Sequence, residues 1–561
     1  MSAGRRLEQG ASWALRGLAL SIALLVNAPL FYLLWRIGDA GPERLGELLS
    51  RPSLLPLLGR TLALAASAAV LAVSVALPLA WLVRRSDVRG ARAWALLGAL
   101  PLVVPSYVAA LAAVSLLGPR GVAARLIEPF GGGSLPGELV YGYSGAVLVL
   151  GLFTYPYVYL LLLAQMERLD PALEESARSL GASPLQVFFR VVLPQLRPAL
   201  LGGGLLVALY AASDFGAVSL LRYDTFTLAV YNAYRGLFDR TAAATLAGVL
   251  AAFTLALVAL DAWLQRRART ARPPAARRVV ARQVLGRWQV PALAFAAAVS
   301  LAPMLLATVA LLRFASPLLR GDDQVLRTLW RTLGAGGDSL AVSLPAAVVT
   351  VILALPLVVW SLRGGSRLAR LAERASYTGH ALPGLVVALS LVFLSIRLVP
   401  ALYQTYPLLI AGYVILFLPE AARAIRASLS AVSPRYEEVA RTLGRSRLGA
   451  LFGVTFPLLR PGLLAGGALV FLTCMKELPA TLILAPIGTE TLAVRVWQSA
   501  EEGLYAEAAL PALLLVLLTA PVVYAFVIAP VVFPRRRRLA AAPEPGSWTG
   551  RPAAPATAQR P

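Results

Sequence analysis

The chain is 561 residues long, 58% hydrophobic and only 14% charged, with a formal net charge of +24 and a mean hydropathy of +0.72. About twelve apolar runs are each long enough to cross the roughly 30 Å hydrocarbon layer, which excludes a soluble globular protein. One cysteine and one histidine exclude an internal disulfide, a cysteine metal cluster and a duplicated catalytic histidine.

The runs are continuous rather than alternating, so helices are expected and a barrel is not. A basic N-terminus with Arg5, Arg6 and Arg16 precedes a first span near 14–35. No small-residue cleavage site follows it, so it reads as a retained span. Further spans fall near 58–83, 95–117, 142–166, 199–220 and 243–264. Residues 265–288 hold eight arginines and no acid, and their Pro and Ala content suggests a poorly ordered linker. A second set of six spans lies near 290–312, 339–362, 379–398, 402–422, 461–485 and 508–532, before PRRRR at 534–538 and a Pro/Ala-rich tail. The expected organisation is a first half over 1–264, a linker over 265–288, a second half over 289–535 and a structureless tail over 536–561.

The arginine-rich connections are 84–92, 170–200, 265–288, 363–374, 433–463 and the tail, and all of them lie on one side if the spans alternate. That is the positive-inside pattern, so both termini are expected in the cytoplasm and the net charge calls for no nucleic-acid partner. Six spans in each set give both sets the same orientation, related by a pseudo-two-fold axis along the membrane normal. His380, at the start of a span, and Cys474 read as structural.

Two polar segments repeat at an offset of 263 without a gap: DPALEESARSLGASPLQVFFRVVLPQLRPAL at 170–200 and SPRYEEVARTLGRSRLGALFGVTFPLLRPGL at 433–463. Glu174, Glu175, Ala177, Arg178, Gly181 and Pro194 recur as Glu437, Glu438, Ala440, Arg441, Gly444 and Pro457. Asp170-Pro171 and Ser433-Pro434 each place a capping residue before a first-turn proline, a helix-start signal. Glu174 with Arg178, and Glu437 with Arg441, are i,i+4 pairs in the favourable order. Gly181 and Gly444 supply a left-handed stop, Ser183-Pro184 restarts a helix, and Pro194 and Pro457 are expected to end it before the next span. An amphipathic hairpin at the lipid surface would need an apolar face, but no glutamate or glycine at fixed places. Two such copies suit a symmetric docking surface.

Glu175-Ser176-Ala177, Gly181 and Val191-Val192-Leu193-Pro194 resemble the EAA loop of ABC-importer permeases, E-A-A-x3-G-x9-I-x-L-P, and Glu438-Val439-Ala440, Gly444 and Val454-Thr455-Phe456-Pro457 form a second copy. Both depart at the second position and carry valine for isoleucine, and the second has Phe456 for leucine. The resemblance covers most of residues 10–535 as a fused pair of permease halves. It implies an all-α, multi-pass protein of the bacterial inner membrane and an ATPase-coupling role for Glu174, Glu175, Ala177, Gly181, Pro194, Glu437, Glu438, Ala440, Gly444 and Pro457. It also implies a separate homodimeric ATP-binding-cassette ATPase that holds the ATP and magnesium, and a separate extracytoplasmic binding protein. No G-x4-G-K-[ST] loop occurs in the chain, so no cofactor is expected on it.

The stretches 213–234 and 476–497 set Asp214 opposite Glu477 and resemble the fused permeases of ferric-iron importers. Thiamine, sulfate, molybdate and polyamine permeases share the broader fold. Ionisable groups at membrane depth usually face a bundle interior or an aqueous path, which makes Asp214, Lys476 and Glu477 candidates for the translocation pathway. The alternative is a structural ion pair, and no metal ligand is assigned. A secondary transporter of parallel repeats would also show twelve spans, but would not need two matched hairpins.

Overall fold

The computed structural model describes residues 3–39, 41–119, 121–127, 136–167, 169–236, 240–268, 282–315, 323–364 and 366–532. Sixteen helices carry the architecture. The first half contributes α1 (Ala3–Asp39), α2 (Leu54–Arg85), α3 (Ser106–Leu117), α4 (Tyr143–Met166), α5 (Pro171–Ser179), α6 (Leu193–Ser213), α7 (Phe226–Arg235) and α8 (Arg240–Ala268). The second contributes α9 (Gln289–Ala315), α10 (Asp323–Arg363), α11 (Gly384–Leu398), α12 (Tyr406–Ala431), α13 (Arg435–Thr442), α14 (Phe456–Lys476), α15 (Leu492–Glu501) and α16 (Tyr505–Val522). Among the described residues eleven helices are long and apolar enough to cross a membrane, and twelve spans result when the segments Arg367–Gly379 and Gly384–Leu398, bent by 101°, count as one. The expected count of spans stands.

Small residues set the packing. Ala65, Ala68, Ala72, Ala76 and Ala80 form a buried stripe along α2, and α2, α4 and α6 pack on one another. Without water between helices, close approach through such residues supplies the dispersion energy that holds spans together. Gly203 of α6 is the tightest case: a Cβ there would stand 2.9 Å from the Val158 Cα of α4. Its counterpart Gly466 faces the Ala421 Cα at 3.3 Å, in the equivalent triad of α10, α12 and α14. Gly203→Leu should therefore lower the stability of the purified protein by about 1–3 kcal/mol, read as a drop in melting temperature in detergent. An unchanged melting point would show that α4 and α6 do not pack this closely.

The two sequence halves are interwoven. Ala19, Ile22, Ala23, Val26 and Leu33 bury one stripe of α1 in the same core as α10, α11 and α12 of the second half. Asn27 fastens the crossing: its Nδ2 donates to the Ala375 carbonyl at 2.9 Å, and its Oδ1 accepts from the Thr378 hydroxyl at 2.6 Å. Reciprocally, α9 and α16 join the core built on α2 to α6. Part of the arginine-rich linker, 269–281, lies outside the described residues, as do the GGG at 131–133 and the tail. The linker's described end is not loose: Gln283 bridges the strand-like turn at 85–87, with Asp87 N–H on the Gln283 carbonyl at 3.0 Å and Leu285 N–H on Asp87 Oδ1 at 2.9 Å. Charge density alone had suggested disorder there, whereas backbone pairing with the α2 end fixes it.

Candidate functional site

Both polar hairpins form as helix, glycine turn and helix. Asp170 Oδ1 accepts the Ala172 N–H at 3.0 Å ahead of α5. α5 stops on Gly181 at φ +84°, with Ala182 N–H on the Ala177 carbonyl at 3.0 Å and Gly181 N–H on the Arg178 carbonyl at 2.9 Å. α13 stops on Gly444 at φ +86° with the same paired bonds, Arg445 to Ala440 at 3.1 Å and Gly444 to Arg441 at 3.0 Å. Only glycine enters that left-handed region without steric cost. Ser183 and Gln186 then close a reciprocal capping box that restarts the chain. α13 begins at Arg435, so Pro434 precedes the helix instead of opening it.

Pro194 and Pro457 do not end the second helix. It runs on into α6 and α14 through a wide turn of i→i−5 bonds at Phe188–Val192 and again at Leu451–Thr455. The wide turn places each proline just beyond it, in the first turn of regular helix, where its missing N–H and its ring are tolerated. Gln195 Nε2 donates to the Val191 carbonyl at 2.9 Å, a bond that occupies one of the backbone acceptors of this turn. The helix after each glycine is thus one rigid piece with a membrane span.

The two acids of each copy face opposite ways. Glu174 is buried and pairs with Arg85 at the end of α2 at 2.9 Å, while the expected partner Arg178 stands at 4.0 Å. Glu437 pairs with Arg363 at the end of α10 at 3.3 Å and accepts from the Thr455 hydroxyl at 2.8 Å. Glu175 and Glu438 are exposed. Around them the hairpins expose Leu173, Leu180 and Phe189 in one copy and Tyr436, Leu443 and Phe452 at the same register in the other, with Leu180 88% and Leu443 79% accessible. Apolar side chains this open at matched positions of two loops read as a surface to be covered.

At the other end of α6 and α14 the helices break. Asp214 follows the last residue of α6, and a short helix Gly216–Leu220 resumes at once; Glu477 and Pro479–Leu484 repeat this. Asp214 Oδ1 accepts the Ala217 and Val218 N–H groups at 2.9 and 3.3 Å, and Oδ2 accepts the Ser106 hydroxyl at 2.5 Å. Glu477 Oε1 accepts the Ala480 N–H at 3.0 Å. In place of Ser106 the second half has Gly384, where a Cβ would collide with that Oε1. Serine with the shorter acid and glycine with the longer one fill the same space. Lys476 Nζ donates across the halves to the Leu102 carbonyl at 3.0 Å, so it does not pair with Glu477. Among the described residues no group of three metal-ligating side chains is assembled. Cys474 is buried, and the His380 side chain lies outside the described atoms.

Residues 72–270 and 346–539 match the family described as binding-protein-dependent transport system inner membrane component. The chain belongs to this family. It is a non-catalytic, multi-pass inner-membrane permease of an ABC importer, with two permease halves in one polypeptide. The permease is 33% identical to the Fe(3+)-transport system permease protein FbpB 2 of Haemophilus influenzae, over 89% of its own length and 95% of the relative's. It is 23% identical to the ferric transport system permease protein FbpB of Actinobacillus pleuropneumoniae, over 87% of this chain and 74% of that one. The sulfate transport system permease protein CysT of Salmonella typhimurium is 27% identical and spans 45% of this chain but 92% of itself, so it matches about one half.

Beyond the breaks, the permease holds a cluster the sequence did not reveal. Phe215 and Tyr231 of the first half pack on Trp497 of the second, with ring centroids 4.8 to 6.0 Å apart, and Trp497 Nε1 donates to Ser219 Oγ at 2.8 Å. Gly216 lies against Leu478 next to it, where a Cβ would stand 2.9 Å from the leucine side chain. The broken segments of the two halves therefore meet here. Glu420, an acid within α12 that is followed by Arg423 and Arg426, was not singled out from the sequence; it accepts from the Thr473 hydroxyl at 3.2 Å. A separate recess of about 410 Å³, lined by Arg51, Arg60, Asp224 and Asn232 at the outset of α2, does not reach the breaks.

Proposed function

We propose that this permease imports ferric iron, received from an extracytoplasmic binding protein and driven by a homodimeric ATP-binding-cassette ATPase seated on the two hairpins. The observation that carries the substrate is the full-length similarity to an Fe(3+)-transport permease, whereas the sulfate relative matches one half alone. The arginine-rich connections support a cytoplasmic position for the hairpins and both termini. Glu175, Gly181, Glu438 and Gly444 would belong to the docking surface, with the half-buried Ala177 and the buried Ala440 packed beneath it, and the matched exposed Leu180 and Leu443 suit a two-fold partner. Glu174 and Glu437 would act behind that surface, tying each hairpin to the ends of α2 and α10. Pro194 and Pro457 would sit in the rigid connection to α6 and α14.

Within the membrane, Asp214, Lys476 and Glu477 would border the route. Asp214 has both carboxylate oxygens engaged and suits a role in holding the break, while Glu477 accepts the Ala480 N–H and Lys476 donates across the halves to the Leu102 carbonyl. The test is uptake of labelled ferric iron and labelled sulfate by proteoliposomes that contain the permease, its ATPase and its binding protein. ATP-dependent accumulation of iron alone is expected. Accumulation of sulfate in place of iron would reject the substrate assignment. In the same assay Asp214→Asn with Glu477→Gln should reduce iron uptake by about tenfold while the complex still assembles. Uptake at the unmodified rate would remove both acids from the route.

A further inference from the structure

The repeat can be followed past the breaks. α7 and α15 are each 10 residues long and begin after a threonine, Thr225 and Thr491. The first N–H of each donates to a hydroxyl on the long span of its own half: Phe226 to Thr61 of α2 at 3.1 Å, and Leu492 to Ser339 of α10 at 2.8 Å. Thr61 and Ser339 each stand sixteen residues before a Leu-Pro-Leu, so the two bonds are equivalent. Tyr231 and Trp497, each five residues further along α7 and α15, are therefore counterparts. Phe215 and Leu478 are counterparts as well, since they follow Asp214 and Glu477.

Counterparts that touch across a two-fold lie beside its axis. Tyr231 and Trp497 meet edge-on with ring centroids 6.0 Å apart, and Phe215 lies against both, at 4.8 and 5.3 Å. Leu478 packs on Gly216, the residue after Phe215. Phe215, Leu478 and Trp497 are 1 to 2% exposed, so water does not enter between them. A passage between two like halves follows their axis, and this cluster stands across it at the ends of α6 and α14 away from the hairpins. Its one polar tie is one-sided. Trp497 Nε1 donates to Ser219 Oγ at 2.8 Å, and Ser219 Oγ donates on to the Gly216 carbonyl at 3.0 Å. In the second half the place of Ser219 is held by Leu482, whose side chain offers no acceptor.

We infer that Phe215, Tyr231, Leu478 and Trp497 form a seal on the axis, and that the bond from Trp497 to Ser219 is the latch that makes the sealed state the resting one. The seal is joined to the hairpins through continuous helix. The second helix of each hairpin runs into α6 or α14, and each of these spans ends at a break beside the seal. A tilt of α6 against α14 pulls Ser219 away from Trp497. Sealed and parted forms are thus two ends of one equilibrium. Whatever weakens the seal raises the population of the parted form, and with it the hairpin arrangement that belongs to that form. An ATPase seated on the hairpins then hydrolyses ATP without waiting for the binding protein.

The latch rests on the coupling of the hairpins to an ATPase and not on the nature of the substrate, so it is tested on ATP hydrolysis. The permease–ATPase complex is reconstituted in proteoliposomes, and hydrolysis is measured without and with the binding protein. Trp497→Phe keeps a ring and loses the N–H, whereas Ser219→Ala loses the acceptor. Each should raise unstimulated hydrolysis about threefold to tenfold, the factor that one neutral hydrogen bond contributes to an equilibrium, while the stimulated maximum stays within about twofold. The double variant should rise no further than either single one, because both remove the same bond. Unchanged unstimulated hydrolysis in both single variants overturns the latch. A fall in melting temperature with both rates lowered together also overturns it, since that is the mark of a bond that only holds the fold. If Trp497→Phe fails to assemble, Ser219→Ala decides alone. A parent complex whose hydrolysis the binding protein does not stimulate overturns the coupling and the latch together, whatever ion is carried.

Discussion

Gly181→Asp combined with Gly444→Asp should abolish ATP-driven uptake while the permease itself stays folded. Both glycines hold φ above +80°, and a Cβ on either would meet nothing within 4 Å. The substitution therefore costs about 1 kcal/mol of backbone strain and no internal clash. Its side chain and charge would instead stand on the surface that we assign to the ATPase. A misfit at a docked turn costs about 2 kcal/mol or more, so two turns weaken assembly by roughly a thousandfold. Co-purification with the ATPase measures it directly, and the melting temperature of the isolated permease serves as control. Gly→Asn at both positions separates charge from strain, because asparagine tolerates the left-handed turn nearly as well and carries none. Retained co-purification and uptake in the Asp pair would sink the docking assignment.

The hairpins were legible because their instructions are local. A capping residue before proline, a glycine ten residues after that proline and a second capped start are each decided within one turn of chain. Duplication made the reading secure, since the same grammar appears twice. The span count was legible for a similar reason, as hydropathy is summed over a window of about twenty residues.

That same averaging hid the breaks. Residues after Asp214 remain apolar, so a window sees one long span where the backbone stops and restarts. Proline misled in the other direction: its missing donor argues for a stop, but a wide turn ahead of it lets the helix continue through Pro194 and Pro457. The weave of the halves lies further out of reach. It depends on Asn27 meeting Ala375 and Thr378, and on a narrow stripe of α1 that fits either half equally well by composition. Glu174 is the most instructive case. Spacing pairs it with Arg178, whereas the fold brings Arg85 closer from α2.

That pairing predicts the second large effect. Glu174→Ala would leave the Arg85 guanidinium, 3% accessible, as an uncompensated charge under the first hairpin. Removing one partner from a buried pair costs about 3–5 kcal/mol, because the other keeps its desolvation penalty. Glu437→Ala should cost less, about 1 kcal/mol, since Arg363 and Glu437 retain 17% and 25% accessibility and can rehydrate. The asymmetry can be read by hydrogen exchange over 171–181 and 435–444, with the first segment losing protection in Glu174→Ala and the second changing little in Glu437→Ala. The double change Arg85→Met with Glu174→Leu decides what the pair is for. It replaces the ions with apolar groups of similar reach, so stability should return to within about 1 kcal/mol. If the ion pair transmits motion from hairpin to α2, ATP hydrolysis will then proceed without uptake. If uptake recovers along with stability, the pair only holds the hairpin down, and the rigid joint through Pro194 into α6 is left to carry the coupling.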